Sequence, residues 1–277
     1  MKLFIFMALM MSVHAHATVG NRFKKVIWIV FENTDYKTAL AQPDFNAISK
    51  QGVLLTNLLA LIHPSQGNYI NMMAGSNYSV KLDSNVDLNV NHLGDLLEKK
   101  GLDWRVYAES YPGKCFTGAR SGTYVRKHNP FISFTNVSKN PERCKKIESS
   151  DLFAQDLAND HLPEFTMYIP DLKNDGHDTG ADYSGKWLSS KFGSLFASAH
   201  KMKDLLVVIT FDESKSYTGN NQVFTVLLGG SIIPGSSNSQ AVGHPAILKL
   251  IEDEFAIGSL DKNDKSSPAL TGFWKNR

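Results

Sequence analysis

Four stretches of this chain are apolar without the every-second-residue polar break of a half-wet strand: KKVIWIVFEN from Lys24, EFTMYIP from Glu164, DLLVVITFDES from Asp204 and NQVFTVLLGG from Asn221. Side chains along a strand point alternately to the two faces of its sheet, so runs like these need cover on both faces. Helical signals lie between them. PDFNAISKQG reads as a short helix stopped by Gly52, NHLGDLLEKKG as a second ending in glycine, and a third starts near Asp151. Leu188, Phe192, Leu195, Phe196 and Ala199 fall on one face of a longer amphipathic helix, and GHPAILKLIEDEFAI forms another near the end. LDWRVYAES is a further strand, whereas VLLTNLLAL fits strand or helix, which periodicity alone does not separate. Tyr111 to Ser150 reads as a long polar excursion. This alternation predicts an α/β fold with a mostly parallel central sheet and helices on both faces. A length of 277 residues, 42% hydrophobic and 20% charged, suits one large domain or two small ones, and a single domain over 18–277 is the expectation.

The first segment stands apart. MKLFIFMALMMSVHAHA opens with Lys2, runs apolar through Val13 and reaches the small residues Ala15 and Ala17. That is the pattern of a secretory signal peptide over residues 1–17, too short for an ordinary membrane span. An exported protein, periplasmic or secreted, is expected, with an uncleaved anchor as the alternative. The two cysteines, Cys115 and Cys144, would form a disulfide in an oxidising compartment; two buried free thiols are the other reading. The net charge of +2 gives no footprint for nucleic acid.

In open parallel sheets, ligands sit outside the carboxyl ends of the strands. Glu32 and Asn33 follow the first apolar run. His63, Pro64 and Ser65 follow VLLTNLLALI; Asp171, Asn174, Asp175, His177 and Asp178 follow FTMYIP; Asp212 and Glu213 follow LLVVITF. Each alone has an ordinary reading: Asn33 and Ser65 as helix caps, Asp212–Glu213 as a turn, NDGHD as loop chemistry, His63 as a packed ring. Together they predict a carboxylate-rich pocket, which repels itself unless a cation occupies it. Glu32, Asn33, Asp212 and Glu213 offer hard oxygen donors suited to a divalent ion such as Ca, Mg, Mn or Zn. A cation beside Ser65 would lower its hydroxyl pKa. No G-x-S-x-G elbow surrounds Ser65, and no phosphate-binding P-loop is present.

IVFENTDY, HPSQGNYINMMAG, YAESYPG, RKHNPF, YIPDLKNDGHD, ITFDES and GHPAILKLIE occur in this order from Val26 to about Ala256. Together they resemble the phosphoesterase family of bacterial and fungal acid phosphatases and bacterial phospholipases C, within the alkaline phosphatase-like superfamily. The resemblance implies a three-layer α/β/α sandwich and a phosphorylated enzyme intermediate. It implies Ser65 as nucleophile, Glu32, Asn33, Asp212 and Glu213 as metal ligands, and His128, Asp175 and His177 facing the phosphate, one histidine protonating the leaving oxygen. His244 matches a late histidine that the wider superfamily uses for a second metal; the other readings are a one-metal site and a helix N-cap neighbourhood. Arg126, Lys127 or His128 would supply positive charge, or form a solvated basic loop. Ser65 would itself be bound to the metal, and His63 and Asp178 are possible further ligands.

The leading expectation is a phosphomonoester hydrolase acting on a small phosphorylated substrate. The short stretch between Gly75 and Asn91 leaves little room for a lid, and the sequence runs only to Arg277; both lean towards the small acid-phosphatase type. A phospholipase C or phosphodiesterase with a membrane-lipid substrate is the rival, and a secreted binding protein on the same fold is a second. Sulfatase chemistry is disfavoured, since HPSQGNY lacks C/S-x-P-x-R.

Overall fold

The structure, a computed structural model, describes residues 22–276. The expected export signal over 1–17 lies outside the described residues. Eight strands form the central sheet: β1 (Lys25–Phe31), β2 (Val53–Leu55), β3 (Trp104–Ala108), β4 (Ile147–Ser149), β5 (Phe165–Ile169), β6 (Leu205–Phe211), β7 (Thr225–Gly229) and β8 (Ser236–Asn238). Their order across the sheet is β8-β2-β7-β6-β1-β5-β3-β4. Only β7 pairs antiparallel with its neighbours, so β1, β5 and β6 all end on the same edge. These three are buried along their length except at Lys25.

The main helices are α1 (Pro43–Ser49), α2 (Gln66–Ala74), α3 (Leu93–Lys99), α4 (Ala181–Phe196) and α5 (His244–Phe255). Side-chain alternation assigns them to faces. Phe211 packs on Phe45 of α1 with ring centroids 5.3 Å apart, and Phe31 meets both Phe45 and Trp187 of α4. Thr210, one residue back along β6, points the other way and reaches His244 at the start of α5. α5 packs in turn against α2. The sheet is therefore covered on both sides, which its unalternated strands require, and the expected mostly parallel α/β architecture is present.

One local reading left open is settled, and three differ. VLLTNLLAL is β rather than helical: β2 is followed by Leu58–Leu59, which bridges Val242–Gly243. α1 ends at Ser49, before Gly52; Gly52 instead lets the chain pass β7, since a Cβ there would lie 2.2 Å from the Leu227 carbonyl oxygen. Ala199 is exposed and belongs to a separate turn of helix, Ala199–Met202, so the amphipathic face of α4 stops at Phe196. The excursion from Tyr111 to Ser150 is not simply polar. It contributes edge strand β4 and buries Tyr124, Phe131 and Phe134, with Phe131 stacked 4.4 Å from Trp104. Its two cysteines are joined as a disulfide, Cα atoms 5.6 Å apart.

Gly75 closes α2 at φ 66°, in the left-handed region. Its carbonyl accepts the Asn263 N–H at 3.0 Å, and a Cβ at Gly75 would sit 2.4 Å from Asp264 Oδ1. The buried Asp264 carboxylate cannot easily yield, because it also holds the N–H groups of Leu260 and Lys262. Gly75→Ala should lower unfolding free energy by about 2–3 kcal/mol. Gly101→Ala, at φ 77° with open space around it, should lose only about 1 kcal/mol. Equal urea midpoints for the two variants would contradict this account.

Candidate active site

β1 and β6 run in register, Phe31 opposite Phe211, so Glu32–Asn33 and Asp212–Glu213 leave the sheet side by side. The Asp212 N–H donates to the Phe31 carbonyl, and the Glu32 N–H to the Asp175 carbonyl in the loop after β5, both at 2.9 Å. Asn33 adopts φ 42°, a left-handed geometry asparagine tolerates better than most residues, and its N–H donates to Asp212 Oδ1 at 3.1 Å. Ser65 arrives from the other side, after a cis His63–Pro64 bond, at the N-cap of α2. A capping serine would accept from the first helical N–H groups. Ser65 makes no such bond; its hydroxyl donates towards Glu32 Oε2 at 3.0 Å and lies 3.4 Å from Glu213 Oε1.

The structure thus brings together Glu32, Asn33, Ser65, Asp175, Asp212 and Glu213 in one buried cluster. Burial, reinforced by neighbouring carboxylates, raises Glu32 and Asp175 well above the ordinary carboxyl range. Burial also lifts Asp212 to about 6 and, with Asp212 beside it, Glu213 to about 8. Asp212 Oδ2 is buried without a hydrogen-bond partner, and Glu213 Oε2, Glu32 Oε1 and Asp175 Oδ2 meet only imidazole nitrogens. The Asn33 amide faces Glu213 Oε1 at 2.9 Å and Glu32 Oε2 at 3.3 Å. Those contacts are satisfied if its nitrogen turns inward; with its oxygen inward they need a proton or a cation between. As the side chains lie, no group of three or more His, Cys, Asp or Glu among the described residues stands at metal-binding distances.

His128 is buried inside the cluster, Nε2 3.1 Å from Glu32 Oε1 and Nδ1 3.3 Å from Asp175 Oδ2, its ring stacked on Tyr69 at 5.1 Å. Burial, with Lys127 and His177 adding repulsion, pushes its pKa down. His177 lies at the rim, its ring centroid 6.3 Å from that of His128, and pairs through Nδ1 with Asp178 at 2.7 Å. His63 pairs with Glu213 Oε2 at 2.7 Å and stacks on Tyr217 at 4.4 Å. His244 is buried with Nε2 3.0 Å from the Phe211 carbonyl oxygen, which it reaches as a donor; its polar contacts are to Phe211 and Thr210 at the end of β6 rather than to the carboxylates. Burial lowers its pKa to about 4. Asp171 and Asn174 brace the loop, Asp171 accepting from Ser110 and Thr123 and Asn174 donating to Glu109.

RKHNPF is not a solvated basic loop. Arg126 is buried against the carbonyls of Thr117 and Val86 and the Asp87 carboxylate, a structural clamp. Lys127 is turned to the site, where its charge acts on Glu32. Tyr69, Asp83 and Tyr217 were not foreseen. Tyr69 stands four residues after Ser65 on α2, the spacing that puts two side chains on one helical face; the other two lie in loops with no pattern to read. A cavity of about 540 Å³ opens beside Asn33, His177, Asp178, Lys215 and Tyr217. A second, about 660 Å³, lies at the disulfide and is lined by no carboxylate of the cluster.

A family model described as "Phosphoesterase family" matches residues 30–258. A probable acid phosphatase of Kluyveromyces lactis is 35% identical over 263 residues, covering 91% of this chain and 62% of the yeast protein. An acid phosphatase of Aspergillus fumigatus is 34% identical over 269 residues, with 91% and 60% covered. A phosphatidylinositol-3-phosphatase of Mycobacterium tuberculosis is 27% identical over 258 residues, with 91% and 83% covered. The chain spans about three fifths of the length of these fungal relatives. Among solved structures, a protein in the alkaline phosphatase superfamily from Vibrio parahaemolyticus superposes with TM-score 0.60 at 12% identity, covering 89% of this chain and 70% of that one. A lipoteichoic acid synthase from Listeria monocytogenes gives 0.58 at 11%, with 88% and 76% covered. At such identity the likeness is one of fold, and it agrees with the expected three-layer architecture.

The crowded carboxyls set a pH dependence. The folded chain keeps the Glu213 proton up to about pH 8, whereas an unfolded chain releases it near the ordinary glutamate value. The folded state therefore binds more protons across that window, and its stability falls as pH rises through it. In the presence of chelator, Glu213→Gln should be more stable than the parent at pH 8, by on the order of 2 kcal/mol, and the gap should close towards pH 5. Thermal melts across that range would refute the crowding if the variant were less stable throughout.

Proposed function

The chain belongs to the phosphoesterase family, and from that premise we propose that it is an exported, metal-dependent phosphomonoester hydrolase of the acid-phosphatase type that works through a phosphoserine on Ser65. One observation carries the reading: Ser65 leaves the α2 cap unmade and presents its hydroxyl to Glu32 and Glu213. A hydroxyl against buried carboxylates, next to a helix N-terminus, is set to lose its proton and to meet an anion.

The donor set fits a divalent cation. Its buried oxygens are hard ligands: Asp212 Oδ2 has no hydrogen-bond partner, Glu213 Oε2 and Glu32 Oε1 face only imidazole nitrogens, and Asn33 and Ser65 stand among them. Glu32, Asn33, Ser65, Asp212 and Glu213 would hold the ion. When bound, the ion supplies charge for the serine oxygen and the phosphoryl oxygens. Ser65 Oγ gives its proton to the flanking carboxylates and attacks phosphorus in line. The Oγ–P bond forms as the bond from phosphorus to the leaving oxygen breaks. His177, partly exposed beside the cavity and braced by Asp178, gives a proton to that oxygen. Water then hydrolyses the phosphoserine. His128, between Glu32 and Asp175, keeps the cluster aligned, and Lys127 offsets its negative charge.

Export is supported by the amino-terminal pattern and by the disulfide, which persists in oxidising compartments. No helix among the described residues is long and apolar enough to cross a membrane. The mycobacterial relative, by its name, acts on a phosphomonoester carried by a lipid; the same bond class in a lipid head group is the second reading. Phosphatidylinositol 3-phosphate assayed beside p-nitrophenyl phosphate separates the two.

Ser65→Ala should fold normally, lower kcat on p-nitrophenyl phosphate by about 10³-fold or more, and abolish acid-trapped phosphoserine; substantial residual turnover would remove Ser65 from the role. In chelator-treated protein, cation binding must displace protons held on Asp212 up to about 6 and on Glu213 up to about 8. Cation affinity should therefore rise from pH 5 to pH 8, with proton release, and level off above. Calorimetry showing pH-independent affinity, or activity indifferent to chelation and readdition, would overturn the metal assignment.

A further inference from the structure

Asp83 lies in the segment between α2 and α3, outside every motif that resembles the family. Its Oδ1 accepts the Gln66 N–H at 3.0 Å, and its Oδ2 accepts Lys127 Nζ at 2.6 Å. Both donors belong to the site. Gln66 is covalently next to Ser65, and Lys127 precedes His128, whose Nε2 meets Glu32. Close by, the Gln66 side-chain amide is buried with neither atom partnered, and the buried Tyr69 hydroxyl is turned towards Glu32.

A carboxylate with one oxygen on a backbone N–H and the other on an ammonium is bound as two non-bridging oxygens of a phosphate would be. Yet Asp83 adds a further negative charge to a site already crowded with carboxylates. The segment carrying it is tied at its ends and loose between. Asn77 holds the Val80 carbonyl, and Arg126 holds the Val86 carbonyl and Asp87. Residues 81–85 are exposed, and Leu82 is 70% exposed. Little but the Asp83 contacts keeps the middle of the segment in place.

We propose that Asp83 is an internal stand-in for the substrate phosphate, displaced from Gln66 N–H and Lys127 Nζ when a phosphomonoester binds. This rests on the phosphomonoesterase reading and deepens it into a selectivity rule. A dianionic monoester competes well against a carboxylate for an ammonium and an amide; a monoanionic diester competes less well. Asp83 is thus a specificity-determining residue that favours monoesters over diesters.

The test uses the full chain, its Asp83→Asn form, which keeps an acceptor for Gln66 but loses the charge, and Asp83→Ala, which removes both contacts. Calorimetry with inorganic phosphate, and kcat and KM for p-nitrophenyl phosphate and bis-p-nitrophenyl phosphate, are the readouts, with melting temperature as the fold control. Phosphate should bind both variants at least about fivefold more tightly, and kcat/KM for the diester should gain more than that for the monoester. Phosphate binding that is weaker, unchanged or undetectable in all forms overturns the proposal; weaker binding with raised KM would make Asp83 a positioning residue for Lys127. If the parent hydrolyses neither ester, the proposed function fails, while the phosphate affinities still decide the role of Asp83.

Discussion

Negative charge confined in a dry space governs this molecule. Glu32, Asp175, Asp212 and Glu213 are all buried, and buried carboxylates this close cannot all ionise unaided. Either protons or a cation must neutralise them, and both alternatives are chemistry. The rest of the fold keeps the four groups from relaxing apart. Each stands one or a few residues beyond a fully buried parallel strand, and the backbone bonds Asp212 N–H to Phe31 and Glu32 N–H to Asp175 lock those strand exits to one another. A site whose parts repel must be held by something stiffer than itself, and a sheet covered on both faces is such a support.

The supporting contacts are largely aromatic. Phe31, Phe45, Phe211 and Trp187 interlock beneath one face at ring separations of 5.2–5.9 Å. On the other face Tyr69 stacks on His128, and His244 donates to the Phe211 carbonyl immediately before Asp212. These groups spread the cost of the carboxylate cluster over well-packed surroundings, so strain at the site need not loosen the core.

Much of this was legible because strand burial leaves a strong linear mark. Unalternated apolar runs identified β1, β5 and β6, and the acidic residues just past them followed from the rule that parallel sheets carry function at their carboxyl edge. What was not legible depends on chain segments far apart. Asp83 reaches Lys127 across 44 positions, with nothing in KLDSNVD to announce it. RKHNPF read as one basic unit, but its geometry divides it: Arg126 clamps carbonyls, Lys127 serves the site, and His128 is buried between carboxyls. Composition cannot separate three adjacent polar residues whose side chains leave a short 3-10 turn in different directions. The Tyr111–Ser150 span misled for a related reason. Its polar average hides Tyr124, Phe131 and Phe134, which sit in a two-residue strand and at a single 3-10 turn, elements too short to leave a periodic mark.

That span is also closed covalently. Lys127 and His128 both lie between Cys115 and Cys144, so the ammonium that offsets the carboxylates and the imidazole set between them hang from a ring rather than from an open loop. Cutting the ring enlarges the conformational freedom of that segment in the unfolded chain and at its base. The disulfide thereby restrains the segment that carries two side chains of a centre containing no sulfur.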